Sequence, residues 1–340
     1  MKKLLNTLYV TTPESYLSKD GLNVVISVKQ NEIFRIPILN IEGIVTFGYM
    51  GASPGVMKLC TDNGVSLTFL SPNGRFIGRV QGGVKGNVLL RKRQYQLSDD
   101  SLFSLHLSKL FVAGKIQNYR NILRRFIRDH GSDSKIETAT QNLENSKKDT
   151  LRALDTNQLR GIEGDAANSY FEVFQRLIIN QKTDFIFHGR SRRPPKDEIN
   201  AMLSFVYTLI ANDISAALET VGLDPYVGFM HTLRPGRTSL ALDLMEEFRA
   251  YLGDRLILSL INRRQVGIKD FIHQGENGIL MTDSCRKTLL SAWQSRKKEM
   301  IIHPYLNEKI PIGLLPYAQA MLLARLLRGD IDDYPVFLIQ

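Results

Sequence analysis

The sequence predicts an α+β protein: a small N-terminal β-sandwich followed by a larger all-helical domain with a minor hairpin insertion. Three observations point there. The first ~80 residues are short runs of Val, Ile, Phe and Tyr separated by turn residues, with no alternating helices. The glycine-rich stretch Gly82-Gly83-Val84-Lys85-Gly86 ends that region. Beyond Ser98-Asp99-Asp100, a helix-start signal, apolar residues recur at helical spacing. A chain of 340 residues accommodates two domains. The boundaries fall at 1–86, a linker at 87–97, and 98–340.

The strands are expected at Leu8–Thr12, Asn23–Val28, Ile33–Leu39, Ile44–Phe47, Ser66–Leu70 and Phe76–Val80, paired antiparallel. Lys19-Asp20-Gly21 and Ser71-Pro72-Asn73-Gly74 supply turns, and one short helix fits Ser53–Thr61. Leu102, Leu105, Leu107, Leu110 and Phe111 open the helical part, and Arg120, Arg124, Arg125 and Arg128 follow as a basic stripe. Gly131–Asp149 is mostly polar and reads as a loop or weak helix. From Asn157 helix follows helix to Arg328, where Gly329 stops the last one. Ile301–Ile312 is the exception and reads as the inserted hairpin.

Composition narrows the class. There are 44 Lys+Arg against 34 Asp+Glu, a formal charge of +10 and a pI near 9.5. Residues 1–98 hold 12 basic and 5 acidic side chains, so the N-terminal part is the more basic. Such a balance favours anionic partners, above all nucleic acid. No run approaches the ~18 apolar residues of a membrane span. The opening MKKLLNTLYV is interrupted by Asn6 and Thr7 and reads as a first strand. Cys60 and Cys285 are too few for a disulfide framework or a Cys-rich zinc site, so a reducing cytoplasm is expected.

Glu163 shares a helix face with Ala166, Ala167, Tyr170 and Phe174, where a carboxylate is costly unless paired or bound to metal. Its other reading is a half-exposed glutamate near a helix start. His231 follows the apolar Gly228-Phe229-Met230. Asp243 and Glu246 lie three residues apart, at the border of a stripe formed by Leu240, Leu244, Phe248 and Tyr251. One imidazole with two or three carboxylates suits Mn²⁺ or Mg²⁺, with positions left for phosphate oxygens. A His-Glu-x-x-His pair, Walker glycines and a Gly-x-Ser-x-Gly elbow are all absent. Candidate backbone contacts for DNA are Arg190, Arg192, Arg193 and Lys196 in one turn, and Arg91 and Arg93 after the glycines. Tyr170 and Tyr207 are conceivable tyrosine nucleophiles, but their apolar settings favour packing.

In this order the pieces resemble the CRISPR-associated adaptation integrase, the first protein of the Cas series. The resemblance is carried by Arg160-Gly161-Ile162-Glu163-Gly164 with Tyr170-Phe171, and by Arg192-Arg193-Pro194-Pro195-Lys196-Asp197 with Asn200-Ala201-Met202-Leu203-Ser204. Further matches are Gly222-Leu223-Asp224-Pro225 running to His231, Ser239-Leu240 to Arg249, and Ile41–Gly48 with Ser66–Ser71. It implies a homodimer paired through β domains, and a small ferredoxin-like partner, the second Cas protein. It also implies a metal-dependent transesterification, in which the 3′-OH of a short double-stranded DNA fragment attacks the repeat boundary of a CRISPR array. Carried onto this chain, the metal ligands are Glu163, His231 and Glu246, with Asp243 as a further acidic catalytic residue. Glu246 stands where some relatives have Asp, which leaves open which of Asp243, Glu246 and Glu247 coordinates. The competing readings are a general metal-dependent DNase or junction resolvase, and a non-catalytic DNA-binding scaffold.

Overall fold

The structure is a computed structural model that describes residues 6–48, 50–72, 74–82, 88–191, 194–275 and 278–339. Two four-stranded sheets open the chain. One is ordered β1 (Thr7–Val10), β5 (Gly43–Phe47), β7 (Ser66–Leu70) and β8 (Phe76–Val80). The other is ordered β4 (Asn31–Pro37), β3 (Asn23–Val28), β2 (Ser15–Asp20) and β6 (Gly51–Ala52). Val10, Leu17, Val24, Ile26, Ile44 and Leu67, drawn from both sheets, share one core with Val56, Leu59 and Cys60 of α1 (Pro54–Asp62). Ser53 caps α1 by accepting from the Val56 N–H, and Pro54 fits its first position.

Pairing is not antiparallel throughout, as the sequence leads one to expect. β1 pairs parallel to β5 and β5 parallel to β7. Parallel neighbours need a crossover, and α1 is the one between β5 and β7. β2 and β6 escape the strand pattern for different reasons. Ser-Tyr-Leu-Ser-Lys-Asp is too polar to stand out, although it pairs with β3 along its whole length, and β6 is only two residues long.

The helical part contains α2 (Val88–Asp99), α3 (Ser101–His130), α4 (Ser134–Arg152), α5 (Thr156–Glu172), α6 (Glu198–Val221), α7 (Ser239–Met245) and α8 (Arg255–Asn262). A π turn at Arg249–Asp254 precedes α8. The hairpin β9 (Phe271–His273) and β10 (Ile279–Met281), α9 (Asp283–Lys298), the hairpin β11 (Met300–Ile302) and β12 (Lys309–Pro311), and α10 (Leu315–Arg328) complete the chain.

One expectation is corrected and two are made more specific. The linker at 87–97 is helix α2 from Val88 onward, because Leu90, Gln94 and Leu97 make a buried stripe at helical spacing. Its first residue, Asn87, lies outside the described residues, as do Gly83–Gly86. The polar stretch 131–149 is mostly α4, capped by Asp133 and anchored by Ile136, Ala139 and Leu143. The second part is not wholly helical outside one hairpin: the expected one is β11–β12, and β9–β10 is another.

The chain divides into two compact units. The first joins Met1–Lys85 with Arg286–Met300 and Pro311–Leu314; the second is Gly86–Cys285, Ile301–Ile310 and Leu315–Gln340. In the first unit α9 buries Leu289, Leu290 and Trp293, and lines a cleft with Tyr9 and Thr11. In the second, α6 is long and apolar enough to cross a membrane, but 72% of its apolar window is buried inside the protein. Neither cysteine is in a disulfide and both are buried, and burial pushes the Cys60 thiol up to about 11.

Candidate active site

Four elements of the second unit converge on one cluster. Asp155 starts α5 by accepting from the N–H groups of Asn157 and Gln158. The helix then lies on α3 through a stacked Tyr119–Tyr170 pair with ring centroids 3.9 Å apart. Phe171, Phe174 and Phe187 extend that aromatic core. Truncating a ring buried like Tyr119 costs about 3–5 kcal/mol, so α5 is held firmly and Glu163 with it.

His231 is presented by a loop built around Asp243. That carboxylate is fully buried and accepts backbone N–H bonds from Phe229 (2.7 Å), Met230 (3.0 Å) and His231 (2.9 Å). It also meets His231 Nδ1 at 2.6 Å. A side chain at Gly228 would strike Asp243 Oδ2, so this tight approach requires glycine. The loop is braced twice more. Gln94 of α2 bonds to both Asp224 and Val227, and Arg160 donates to Met230 O and Thr232 Oγ1. With Nδ1 facing a carboxylate, the imidazole keeps Nε2 as its free lone pair.

Glu246 sits at the end of α7, 3% exposed. Its Oε2 meets Lys115 Nζ at 2.8 Å and Arg249 Nε at 2.9 Å, while Oε1 faces His231 Nε2 at 4.0 Å. Lys115 Nζ also pairs with Glu163 Oε1, so one ammonium bridges two carboxylates. Burial opposes ionisation of Glu246, but Arg249, Lys115 and His231 together hold it well below the usual carboxylate range. Arg249 in turn lies over the Tyr207 ring at 4.8 Å. The side chains of Glu163 and His231 are 24% and 17% exposed, so the cluster opens to solvent on their side.

All four acidic or imidazole candidates therefore come together, though with unequal parts. Asp243 spends its oxygens on four donors and acts by positioning His231. Glu247 points away from the cluster: it accepts from Tyr334 OH, Gln319 Nε2 and the Phe337 N–H. Among the described residues no three His, Cys, Asp or Glu side chains form a ready cation cage, because Lys115 lies between the two glutamates. The donor set nevertheless fits a hard divalent ion. It offers two carboxylates from separate elements, already gathered on a positive charge, and an imidazole nitrogen 4.0 Å from one of them.

The basic candidates fare differently. Arg190 is half-buried and donates to Asn200 Oδ1 and Ser204 Oγ, with its guanidinium over the Tyr207 ring. Lys196 and Arg93 are exposed, Arg91 is half-buried, and Arg192 and Arg193 lie outside the described residues. Tyr170 and Tyr207 are buried packing residues, as expected, with Tyr207 OH on Asp254 Oδ1 at 2.5 Å. Sequence reasoning missed Lys115, Arg249 and Arg160. The first had a signal: Leu107, Phe111, Lys115 and Ile122 share the buried stripe of α3, where a lysine is anomalous.

Fold and site together define a two-unit α+β protein with a carboxylate–imidazole–ammonium centre in its helical unit. The chain belongs to the CRISPR associated protein Cas1 family, whose sequence profile matches residues 8–295. It is 51% identical over 340 residues to a CRISPR-associated endonuclease Cas1 of Chlorobaculum tepidum, covering 99% of each chain. It is 49% identical over 342 residues to one of Rhodospirillum rubrum, covering 98% of each. Among solved structures, a Cas1 protein from Thermotoga maritima matches 98% of this chain and 100% of its own, with TM-score 0.82 and 21% identity. A casposase bound to integration product matches 98% of this chain and 93% of its own, with TM-score 0.83 and 20% identity. These two likenesses establish the fold.

Proposed function

We propose that this protein is a metal-dependent DNA integrase/endonuclease of CRISPR adaptation, joining the 3′-OH ends of short DNA fragments to a CRISPR repeat boundary. Family membership and the endonuclease names of its relatives support the reading. The observation that carries it is the convergence of Glu163 and Glu246 on the Lys115 ammonium, with His231 Nε2 4.0 Å from Glu246 Oε1. Those three residues would hold Mn²⁺ or Mg²⁺, which when bound supplies Lewis-acid stabilisation of charge on a phosphodiester.

The chain's own residues do the rest. Asp243 fixes the His231 ring and its tautomer; Arg249 and Lys115 fix Glu246 Oε2 and leave Oε1 facing the imidazole. Attack by a 3′-OH makes one phosphodiester and breaks another, so no ATP is consumed. Exposed Lys196 and Arg93 are positioned to meet phosphate oxygens, giving salt-dependent binding with little base reading. The assembly that goes with this function is a homodimer acting with a small ferredoxin-like partner, the second Cas protein; one Cas1 structure of this fold was solved within a Cas6-RT-Cas1–Cas2 complex.

The test mixes the protein and that partner with a 3′-OH duplex and a repeat-bearing plasmid, with Mn²⁺ or EDTA, beside Glu163→Ala. Metal-dependent joining abolished by Glu163→Ala is the expected result. Cutting without joining would make the protein a general DNase or junction resolvase with water as nucleophile. DNA binding with no turnover would make it a scaffold.

A further inference from the structure

The second unit buries an ammonium where the proposed function wants a divalent ion. Lys115 is 5% exposed, and its Nζ contacts Glu163 on α5 and Glu246 at the end of α7. Among the described residues it is the one cation seen to join these two carboxylates, whose mutual repulsion would otherwise push α5 from α7. Glu163 and Glu246 already face two cations, Lys115 and Arg249. A divalent ion at those carboxylates would be repelled by both unless one of them withdraws. Arg249 is pinned by Glu246 and by its stacking on Tyr207. Lys115 has a flexible stem and an aromatic face within reach, the Tyr119 ring lying 5.8 Å from Nζ.

We infer that Lys115 is an internal counter-cation, which holds the site assembled when no metal is bound and competes with the divalent ion for Glu163 and Glu246. This rests on the reading of these residues as metal ligands and adds a determinant of how tightly they bind. Lys115 thus sets metal affinity low and makes the metal-free protein stable at the same time.

The experiment titrates Mn²⁺ into the purified wild-type protein, Lys115→Met and Glu163→Gln by calorimetry, with melting curves in EDTA and in Mn²⁺. Lys115→Met keeps the apolar stem and removes the charge. It is expected to bind Mn²⁺ about tenfold or more tightly. It should also melt about 5–10 °C lower in EDTA and recover most of that loss in Mn²⁺. Wild-type binding that Glu163→Gln abolishes, with Lys115→Met no tighter than wild type, would overturn the counter-cation and leave the metal site standing. No Mn²⁺ binding by either protein would overturn both. Should Lys115→Met fail to fold, a wild-type crystal structure with Mn²⁺ decides. Nζ withdrawn from at least one carboxylate supports the inference, and Nζ still bridging both beside a bound ion refutes it.

Discussion

Glu246 and Glu247 are neighbours in sequence and both are buried, yet they occupy opposite electrostatic worlds. Glu246 faces Arg249 and Lys115, and those cations overcome burial to keep it ionised. Glu247 faces only neutral donors, and burial pushes its carboxyl up to about 8 against the pull of Tyr334, Phe337 and Gln319. The lesson is that depth does not decide a carboxylate's charge; the sign of its immediate neighbours does. One pocket is built to carry charge and the other to tie down residues 334–337. Asn118 works beside the second pocket, donating to the Glu247 and Phe337 carbonyls.

Swapping each glutamate for its amide breaks the contrast most sharply. Glu246→Gln should lower metal-dependent joining on the order of 10³-fold, because a neutral amide faces two buried cations. Glu247→Gln, which keeps shape and neutral hydrogen bonding, should stay within about threefold of wild type. Rates of strand joining by the two proteins, side by side, check this; equal losses would erase the distinction.

A smaller effect is expected where the charge serves only to aim another group. Asp243→Asn keeps the volume but offers a single acceptor oxygen to the backbone N–H groups and the imidazole. Mn²⁺ affinity should weaken about 10–100-fold, read by calorimetry, with the fold intact by circular dichroism.

The mildest consequence is a pH dependence of stability. Folded Glu247 keeps its proton up to about 8, whereas its ordinary value is 4.5. Between those values the folded state binds a proton that the unfolded chain has released. This contribution to stability is therefore full below pH 4.5 and is lost as pH rises toward about 8. Glu247→Gln has no such proton, so its melting temperature should rise relative to wild type by a few degrees from about pH 5 to about pH 8. Asp254, raised to about 6 by burial, contributes with the same sign in both proteins and cancels in the difference.

Much of this was legible in the sequence, for physical reasons. Asn23–Val28, Ser66–Leu70 and Phe76–Val80 are strands as read, because short β-branched and aromatic runs between turns have few other uses. Glu163, His231, Asp243 and Glu246 were legible as carboxylates and an imidazole set on or beside apolar faces. What stayed hidden was partnership. Lys115 stands out only as a lysine on an apolar stripe; its two carboxylate partners come into view once α5 and α7 are folded onto α3. Glu246 and Glu247 are indistinguishable as adjacent letters; only their orientation toward Lys115 or toward Tyr334 separates them. α4 was obscured because just three apolar side chains anchor a helix otherwise facing solvent, and β1–β5 pairing because three strands of the other sheet intervene in sequence.

The first unit is not a stretch of chain but a place where two stretches meet. Its sheets come from residues 6–82, while Trp293 and its neighbours on α9 arrive some two hundred residues later. At about 5–20 residues per second, a ribosome leaves those sheets without their helix for on the order of 10–40 s. A fragment cut near residue 86 would carry the same wound permanently, with the surface that buries Leu289, Leu290 and Trp293 open to water. Such a fragment is expected to aggregate where the whole chain does not. Any division of this protein into separately expressed halves has to carry α9 with the sheets.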